Sequence, residues 1–464
     1  FYERIPKALK LSRTVFIPKV EGGSTDPADL RPLTVCSVVL RGFNKILADR
    51  MIKLHCFDKR QFAYLPMDGV GACVFQLSGL LAHAQEQRME FHAAGLDIRK
   101  AFPSLEHREI IISQMRAGCP RGFVNYLRNM YTDVKTLMQF EGHSQMTKIN
   151  RGVFQGDPLS GPIFTMALEG MLKALDSNVC VEVLGARVNA GAYADDTNLY
   201  AGTRKGLQRN IDKYSETGLV KGQEINAKKS WTLSLVPSGK EKKMKVVTGK
   251  PFNSGGVLMK ELTIEDLWRY LGVKFGSKGP EKANVNLEDD LKKLTKAPLK
   301  PQQRVHMLKA YVISRHQQRL VLSRTSAKTL AKMDKQICRY VREWLRLPND
   351  VPVAYLHAPV KSGGLGIPCL QLWVPLMRMN RLKKAIDDGS EIMMALSECT
   401  LFKSILYRCS QSLSKLGGSD ANSLTYYTYW KEQLLSKVDG KDLEHASVHR
   451  SATSWNSVGM NRVS

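Results

Sequence analysis

An α+β fold continued by an all-helical C-terminal region is what this sequence predicts, on three observations. Short strand-like runs alternate with helical patterns over roughly the first 280 residues. Beyond residue 290 nearly every segment reads as helix, apart from the turn "KSGGLGIP" (361–368). The chain of 464 residues is too long for one ordinary core, so two to four subdomains are expected.

The elements follow in order. Residues 11–20 (LSRTVFIPKV) read as a strand and "EGGSTDPADLRP" as a loop, then 34–54 and 71–92 as helices. "AAGLDI" is a short apolar strand running into helical 105–117, and 120–131 is a further helix. Residues 133–150 alternate like a hairpin. "GPIFTMALEGMLKAL" (161–175) is a strongly apolar helix after a Gly/Pro loop. A strand pair around 181–200, a helix over 204–220 and strands near 230 and 270 complete the mixed part, with "PSGKEKK" (237–243) as an exposed charged turn.

Composition narrows the function classes. Hydrophobic content of 43% is globular, and no run of 18 apolar residues encodes a membrane span. The chain opens on Phe1, with Arg4, Lys7 and Lys10 close behind and no apolar leader, which points to a fragment without a secretory signal. Nine scattered cysteines show no CxxC or Cys/His zinc spacing and an odd count, so reduced, mostly buried thiols of an intracellular protein are expected. The net charge of +26 favours binding to a polyanion, nucleic acid ahead of a membrane surface.

That charge is concentrated. Residues 291–346 hold 15 Lys/Arg against only Asp334 and Glu343. Lys328, Lys332, Lys335, Arg339, Arg342 and Arg346 recur at steps of 3 and 4, and Leu330, Met333, Ile337, Tyr340, Trp344 and Leu347 do the same about half a turn away. At 100° per residue these are opposite faces of one helix, which Pro348 stops. A solvated face normally mixes signs, so a stripe of six cations predicts a helix that tracks phosphates.

Carboxylates mark the chemistry. Asp97 closes the strand-like "GLDI", and Asp195-Asp196 sit in the turn between two β-like runs, "GARVNAGAY" and "TNLYAG". Adjacent like charges drawn toward a sheet repel and lose hydration, which a bound cation would offset. Asp97 and the pair together would supply the oxygen ligands that Mg²⁺ prefers.

The order of the surrounding motifs carries a resemblance. "IPK" (17–19), "LRPLT" (30–34), "LDIRKAF" (96–102), "QGDPLSG" (155–161), "YADD" (193–196), "GQEINAKKS" (222–230) and "WRYLGVKF" (268–275) resemble, in sequence, the fingers and palm motifs of reverse transcriptases. The resemblance implies a right-hand polymerase: fingers over 1–92, palm with interleaved fingers elements and a primer-grip hairpin over 93–280, helical thumb over 281–350 and a helical connector over 351–464. It implies two Mg²⁺ ions, with Mn²⁺ able to substitute, and dNTP substrates. Asp97 and Asp195 would bridge the metals, Asp196 would assist, and the Ile98 carbonyl would complete one shell. Phe102 would exclude a 2′-OH, and Lys19 and Arg31 would clamp the triphosphate. Gln155 and Gly156 would lie beside the nascent base pair, Lys228 or Lys229 would protonate pyrophosphate, and Leu271 and Gly272 would seat the primer end. Asp157 reads as a cap or turn residue rather than a third ligand.

One departure is visible: after "QGDPLS" the family usually has Pro, where this chain has Gly161 and then Pro162, which predicts a looser loop. "APLKPQQRVHMLKAYVISR" (297–315), "VREWLRLPNDVP" (341–352) and "SGGLGIPCL" (362–370) resemble the thumb region of non-LTR retrotransposons with a restriction-like endonuclease, the group that inserts into large-subunit ribosomal RNA genes. The resemblance runs from about residue 5 to 375. It implies target-primed synthesis of cDNA on the element's RNA in the nucleus. The partners would be that RNA, target DNA and the RNA–DNA hybrid, with no membrane. Zinc fingers and Myb-like readers would precede this region in the larger protein, and a zinc knuckle and endonuclease would follow. The rival readings are an intron-type maturase, a viral RNA polymerase, or a catalytically silent polymerase fold that assembles nucleic acid.

Overall fold

The computed structural model describes residues 5–18, 29–140, 142–239, 241–388 and 390–437. It divides into two compact units. The first takes in Phe1–Gln76, His83–Asp266 and Ser390–Ala395, and the second Leu77–Ala82, Leu267–Gly389 and Leu396–Ser464.

In the first unit a four-stranded sheet runs in the order Leu30–Val35, Ser12–Pro18, Lys135–Phe140, His143–Lys148. Its central pair, Ser12–Pro18 with Lys135–Phe140, is parallel and the flanking pairs are antiparallel. Residues 34 and 35, expected to open a helix, instead end a strand: Thr34 pairs with Thr14 and Val35 with Arg13. The helix begins at Val38 and runs to Leu54.

The second sheet carries the chemistry. Its path is Lys243–Val246, Trp231–Ser238, Phe91–Leu96, Asp196–Ala201, Ala190–Tyr193, with Lys260–Glu261 alongside Trp231–Ser238. Phe91–Leu96 is buried along its whole length, as a central strand covered on both faces should be. The helix Ser160–Lys173 is buried over nearly all its turns, with Ile163, Phe164, Ala167 and Met171 in the same apolar cluster as Ala94, Leu96 and Leu199. The strand pair expected around 181–200 resolves into two hairpins, Val181–Val183 with Ala186–Val188 and Ala190–Tyr193 with Asp196–Ala201. The charged turn at 237–243 is shorter than the sequence suggests, because Pro237 and Ser238 still pair with Met244 and Lys243.

The second unit opens with the hairpin Trp268–Tyr270/Val273–Gly276 and is otherwise mostly helical. Tyr270 pairs with Val273, leaving Leu271 (φ 46) and Gly272 (φ 83) as a two-residue connection. Positive φ at both central residues is what a type I′ turn requires and what suits the strand twist. The helical stretch over 301–322 contains a π segment, Leu308–Ile313. Beyond it, Leu372, Leu376, Met379, Cys409, Leu413, Tyr426 and Trp430 form a separate apolar cluster. None of the nine cysteines is bonded to another, and six are buried. Among the described residues no helix is long and apolar enough to cross a membrane.

Candidate active site

Strand register brings the aspartates together. Phe91–Leu96 runs antiparallel to Asp196–Ala201, with Leu96 opposite Thr197. Asp97 follows Leu96 directly and Asp196 precedes Thr197, so both aspartates lie at the same end of this strand pair. Tyr193 pairs with Asp196, so the hairpin turn is Ala194-Asp195 and Asp196 already opens the next strand. Ala194 sits at φ 56, a left-handed conformation that costs an L-residue about 1 kcal/mol or more. This turn is held by a neighbouring segment. Gln61 bridges in parallel to Ala192, and its buried side chain accepts from the Ala194 N–H at 3.0 Å and donates to the Ala194 carbonyl at 3.4 Å. On the other side, Thr197 bonds the Tyr214 hydroxyl at 2.9 Å, tying the strand to helix Arg204–Val220.

Asp97 has its own cradle, drawn from the "INAKKS" stretch. Its N–H donates to Ser230 Oγ at 3.0 Å, its carbonyl accepts from the Asn226 N–H at 2.7 Å, and the Arg99 N–H donates to the Glu224 carbonyl. These bonds make the bridge between Ile98 and Ile225 without using the Ile98 carbonyl.

The three carboxylates resist ionisation together. Burial raises the Asp97 carboxyl, opposed by the Lys229 charge and a hydrogen bond from Asn226. Burial likewise raises Asp195; the Asp97 charge adds to the rise and Arg31 opposes it. Asp196 is pushed up to about 6 by burial, then by Asp195 and Asp97. Asp196 nonetheless remains exposed to solvent. Such mutual repulsion is relieved by a cation, and a set of carboxylate oxygens suits a hard divalent ion. Among the described residues no three or more His, Cys, Asp or Glu side chains already converge tightly enough to hold one.

The remaining expected residues distribute as follows. Arg31 is exposed at the start of its strand, and its charge reaches Asp195. Lys19 lies outside the described residues. Of the two candidate lysines, both exposed, Lys229 is the one whose charge acts on Asp97. Phe102 lies in the short helix Ala101–Ser104, half-buried, with its ring stacked on Phe164 at 4.3 Å. The Gln155 carbonyl accepts from the Thr34 N–H at 2.8 Å, and a Cβ on Gly156 would lie 3.1 Å from the Thr34 carbonyl. The close backbone approach at Gly156 is therefore to the adjoining sheet. Asp157 is a turn residue, accepting from the Leu159 N–H at 2.9 Å and from Asn44 Nδ2 at 2.8 Å. The loop expected to loosen at Gly161 is covered instead by the Tyr64 ring, which the missing side chain admits.

In the second unit, Leu271 and Gly272 form the hairpin turn described above, and the Leu271 carbonyl accepts from Gln318. The cation stripe lies on helix Ala327–Leu345, with Arg346 as its left-handed cap at φ 51. Lys328, Lys332, Lys335, Arg339 and Arg346 are exposed, while Arg342 is half-buried. Two of the six are already engaged: Arg339 pairs with Glu288 at 2.8 Å, and Arg342 donates to the Val351 carbonyl at 3.1 Å. Leu330, Met333, Ile337, Tyr340 and Trp344 on the far side are buried, as the spacing predicts. They pack against several helices of the same unit. The helix lies against Leu287–Lys296, Pro301–Met307 and Leu370–Asp387, and Trp344 Nε1 donates to Thr295 at 2.8 Å. Asp334 is turned away from the stripe. It is buried, and it accepts from the N–H groups of Leu370 and Gln371, capping the next long helix.

With this geometry in place, comparison with known proteins decides the family. The model of the reverse transcriptase (RNA-dependent DNA polymerase) family matches residues 17–275. The chain belongs to the reverse transcriptases. It is 52% identical over 465 residues to the Pol polyprotein of a type-1 retrotransposable element R2 of Bradysia coprophila, covering all of this chain and 53% of that protein. It is 38% identical over 459 residues to the R2 Pol polyprotein of Nasonia vitripennis, covering 98% of this chain and 43% of the relative. Against the R2DM Pol polyprotein of Drosophila melanogaster, identity is 36% over 458 residues, 97% of this chain and 43% of the relative. The chain thus spans about half the length of these curated relatives. The matched region, residues 17–275, lies in an α+β fold.

Sequence reading missed Gln61, Asn226 and Ser230. Asn226 and Ser230 fall inside a motif whose lysines drew attention. Gln61 lies in "RQFAYLP", a stretch with no periodicity, and only its pairing beside Ala192 shows what it holds.

Proposed function

We propose that this chain is the polymerase portion of a larger non-LTR retrotransposon protein that works in the nucleus. It copies element RNA into cDNA from the 3′-OH of a nicked genomic target. The observation that supports this best is the set of coupled carboxylates, Asp97 and Asp196 at the same end of one strand pair with Asp195 in the adjoining turn. Two Mg²⁺ ions, when bound, would activate a primer 3′-OH and neutralise the triphosphate. Asp97, Asp195 and Asp196 supply the charge that holds them, with the Ile98 carbonyl beside them. Arg31 and Lys19 grip the triphosphate, Lys229 gives a proton to the departing pyrophosphate, and Phe102 closes under the sugar. Gln155 and Gly156 lie near the nascent pair, and Leu271 and Gly272 seat the primer end. Residues 1–92, 93–280, 281–350 and 351–464 serve as fingers, palm, thumb and connector. The endonuclease belongs to the remainder of the larger protein.

Primer extension tests this reading. The chain, given an RNA template, an annealed DNA primer, dNTPs and Mg²⁺, should synthesise cDNA. It should also extend a pre-nicked target without cutting an intact one. No extension would return the chain to a silent nucleic-acid-binding role, and cleavage by the chain itself would overturn the assignment of the nuclease elsewhere.

A further inference from the structure

Tyr64 belongs to none of the motifs above, yet its ring lies among the groups that matter most. Its backbone has φ 60, unusual for an aromatic residue, and the side chain is 45% exposed. The ring meets Phe102 edge-on, centroids 6.4 Å apart and planes at 64°. Phe102 is also stacked against Phe164, at 4.3 Å and 23°. A Cβ built on Gly161 would fall 2.6 Å from Tyr64 Cδ1 and 2.7 Å from Cγ, far inside van der Waals contact. The ring can lie there only because residue 161 has no side chain. The hydroxyl also feels Asp195: burial first, then that charge, pushes it up to about 12. Three residues earlier in the chain, Gln61 grips the catalytic turn at Ala194.

We propose that Tyr64 is a specificity-determining residue: its ring holds Phe102 edge-on and forms a second wall beside the sugar of the incoming nucleotide, with Gly161 as the clearance that admits it. This rests on the reading of Phe102 as the residue that faces the sugar. The physical argument concerns freedom of the Phe102 ring. Phe164 stacks on it and Tyr64 meets it edge-on, so two aromatic neighbours limit its tilt. A 2′-OH adds a single oxygen, so a small displacement of Phe102 makes room for it. Differences of one such group in a packed site are worth about 10- to 200-fold in selectivity.

Single-nucleotide incorporation on an RNA template, with kcat and KM measured for a dNTP and the matching rNTP, tests the proposal. Tyr64→Ala should lower the deoxy-over-ribo preference by about tenfold or more, through faster ribonucleotide use and a raised KM for the dNTP. Tyr64→Phe keeps the ring and should restore the preference. Gly161→Ala, which evicts the ring, should reproduce the loss, and Gly161→Ala added to Tyr64→Ala should cost nothing further. Phe102→Val separates the two readings. If it lowers the preference and Tyr64→Ala does not, Tyr64 has no such role while Phe102 keeps its own. If Phe102→Val changes nothing, the sugar-facing reading fails and the proposal goes with it. Additive losses for Tyr64→Ala and Gly161→Ala would also overturn it, since the two would then act independently.

Discussion

Gln61 holds Ala194 from both ends: its Oε1 accepts the Ala194 N–H at 3.0 Å and its Nε2 donates to the Ala194 carbonyl at 3.4 Å. The same Oε1 accepts from Phe62 and Ala63, so one side chain fixes two backbone segments. Ala194 adopts φ 56 and precedes Asp195 directly, so a relaxed turn would re-aim that carboxylate. Gln61→Met keeps the volume and removes every bond. The Phe62 N–H keeps the Ala192 carbonyl at 2.9 Å, but leaving the Ala63 and Ala194 N–H groups without Gln61 costs about 1–3 kcal/mol each, so the variant should melt earlier. The catalytic expectation is a fall in kcat of tenfold or more, with a smaller change in KM for the dNTP. A variant equally destabilised elsewhere, assayed well below its melting temperature, should keep kcat. If Gln61→Met does too, the clamp is structural only.

Asp195→Ala or Asp97→Ala should remove most of the primer-extension rate, a loss of at least a hundredfold, because the site loses charge together with a ligand. Binding of the template–primer duplex should survive. Near wild-type extension by either variant would refute the carboxylate assignment.

Lys228 and Lys229 are adjacent, and only the latter acts on the Asp97 carboxylate. Proton delivery by a positioned side chain is worth roughly 10²–10⁴-fold. Lys229→Ala should therefore lower kcat by at least tenfold more than Lys228→Ala, measured under single-turnover conditions. The reverse ranking would assign the proton to Lys228.

The contrast between Asp157 and Gln61 shows what the sequence could carry. Asp157 stood inside a recognised motif, and its turn role followed from ordinary Asp chemistry; its bond to Leu159 is local. Asp97 and the Asp195-Asp196 pair were legible for a similar reason, since each ends or begins a β-like run and the register does the rest. Gln61 and Tyr64 act through contacts more than a hundred and about forty residues away, with Ala194 and with Phe102, and no local pattern encodes such pairing. The stripe was visible by its period, but the engagement of Arg339 and Arg342 was not. Glu288 and Val351, their partners, sit on other segments of the chain.

Asp334 should make stability depend on pH. Burial raises its carboxyl to about 6 from an ordinary 3.8, even though Gln371, Leu370 and Cys369 hydrogen-bond to it. The folded state then binds the proton more tightly than the unfolded chain does. Its stabilising contribution is fully present below about pH 4 and is lost as pH rises through about 6. The difference is on the order of 3 kcal/mol. Asp334→Asn should flatten denaturant-unfolding stability between pH 4 and 6 relative to the unmodified chain. Above pH 6 it should also cost about 1–3 kcal/mol, because an amide cannot accept from both Leu370 and Gln371 as the two oxygens of the ionised carboxylate do. Parallel pH profiles for the two proteins would show that Asp334 does not carry the dependence.

Exposed lysines on helix Ala327–Leu345 provide the test of duplex binding. Arg339 and Arg342 are poor probes, because removing them also breaks the pair with Glu288 and the bond to Val351. Lys328, Lys332 and Lys335 are exposed on the same stripe, so their loss should leave the fold intact. Contacts to phosphate position a duplex without reading its sequence, and each one neutralised adds about −0.9 to the slope of log K against log salt for B-DNA. Replacing all three lysines with Gln should therefore flatten the salt dependence of RNA–DNA duplex binding by about two to three units. Processivity should fall as the enzyme lets go more often. Addition of a single nucleotide at saturating duplex should be nearly unchanged, because Asp97, Asp195 and Asp196 are untouched. An unaltered salt slope would mean that the stripe is a solvated face, whatever its charge.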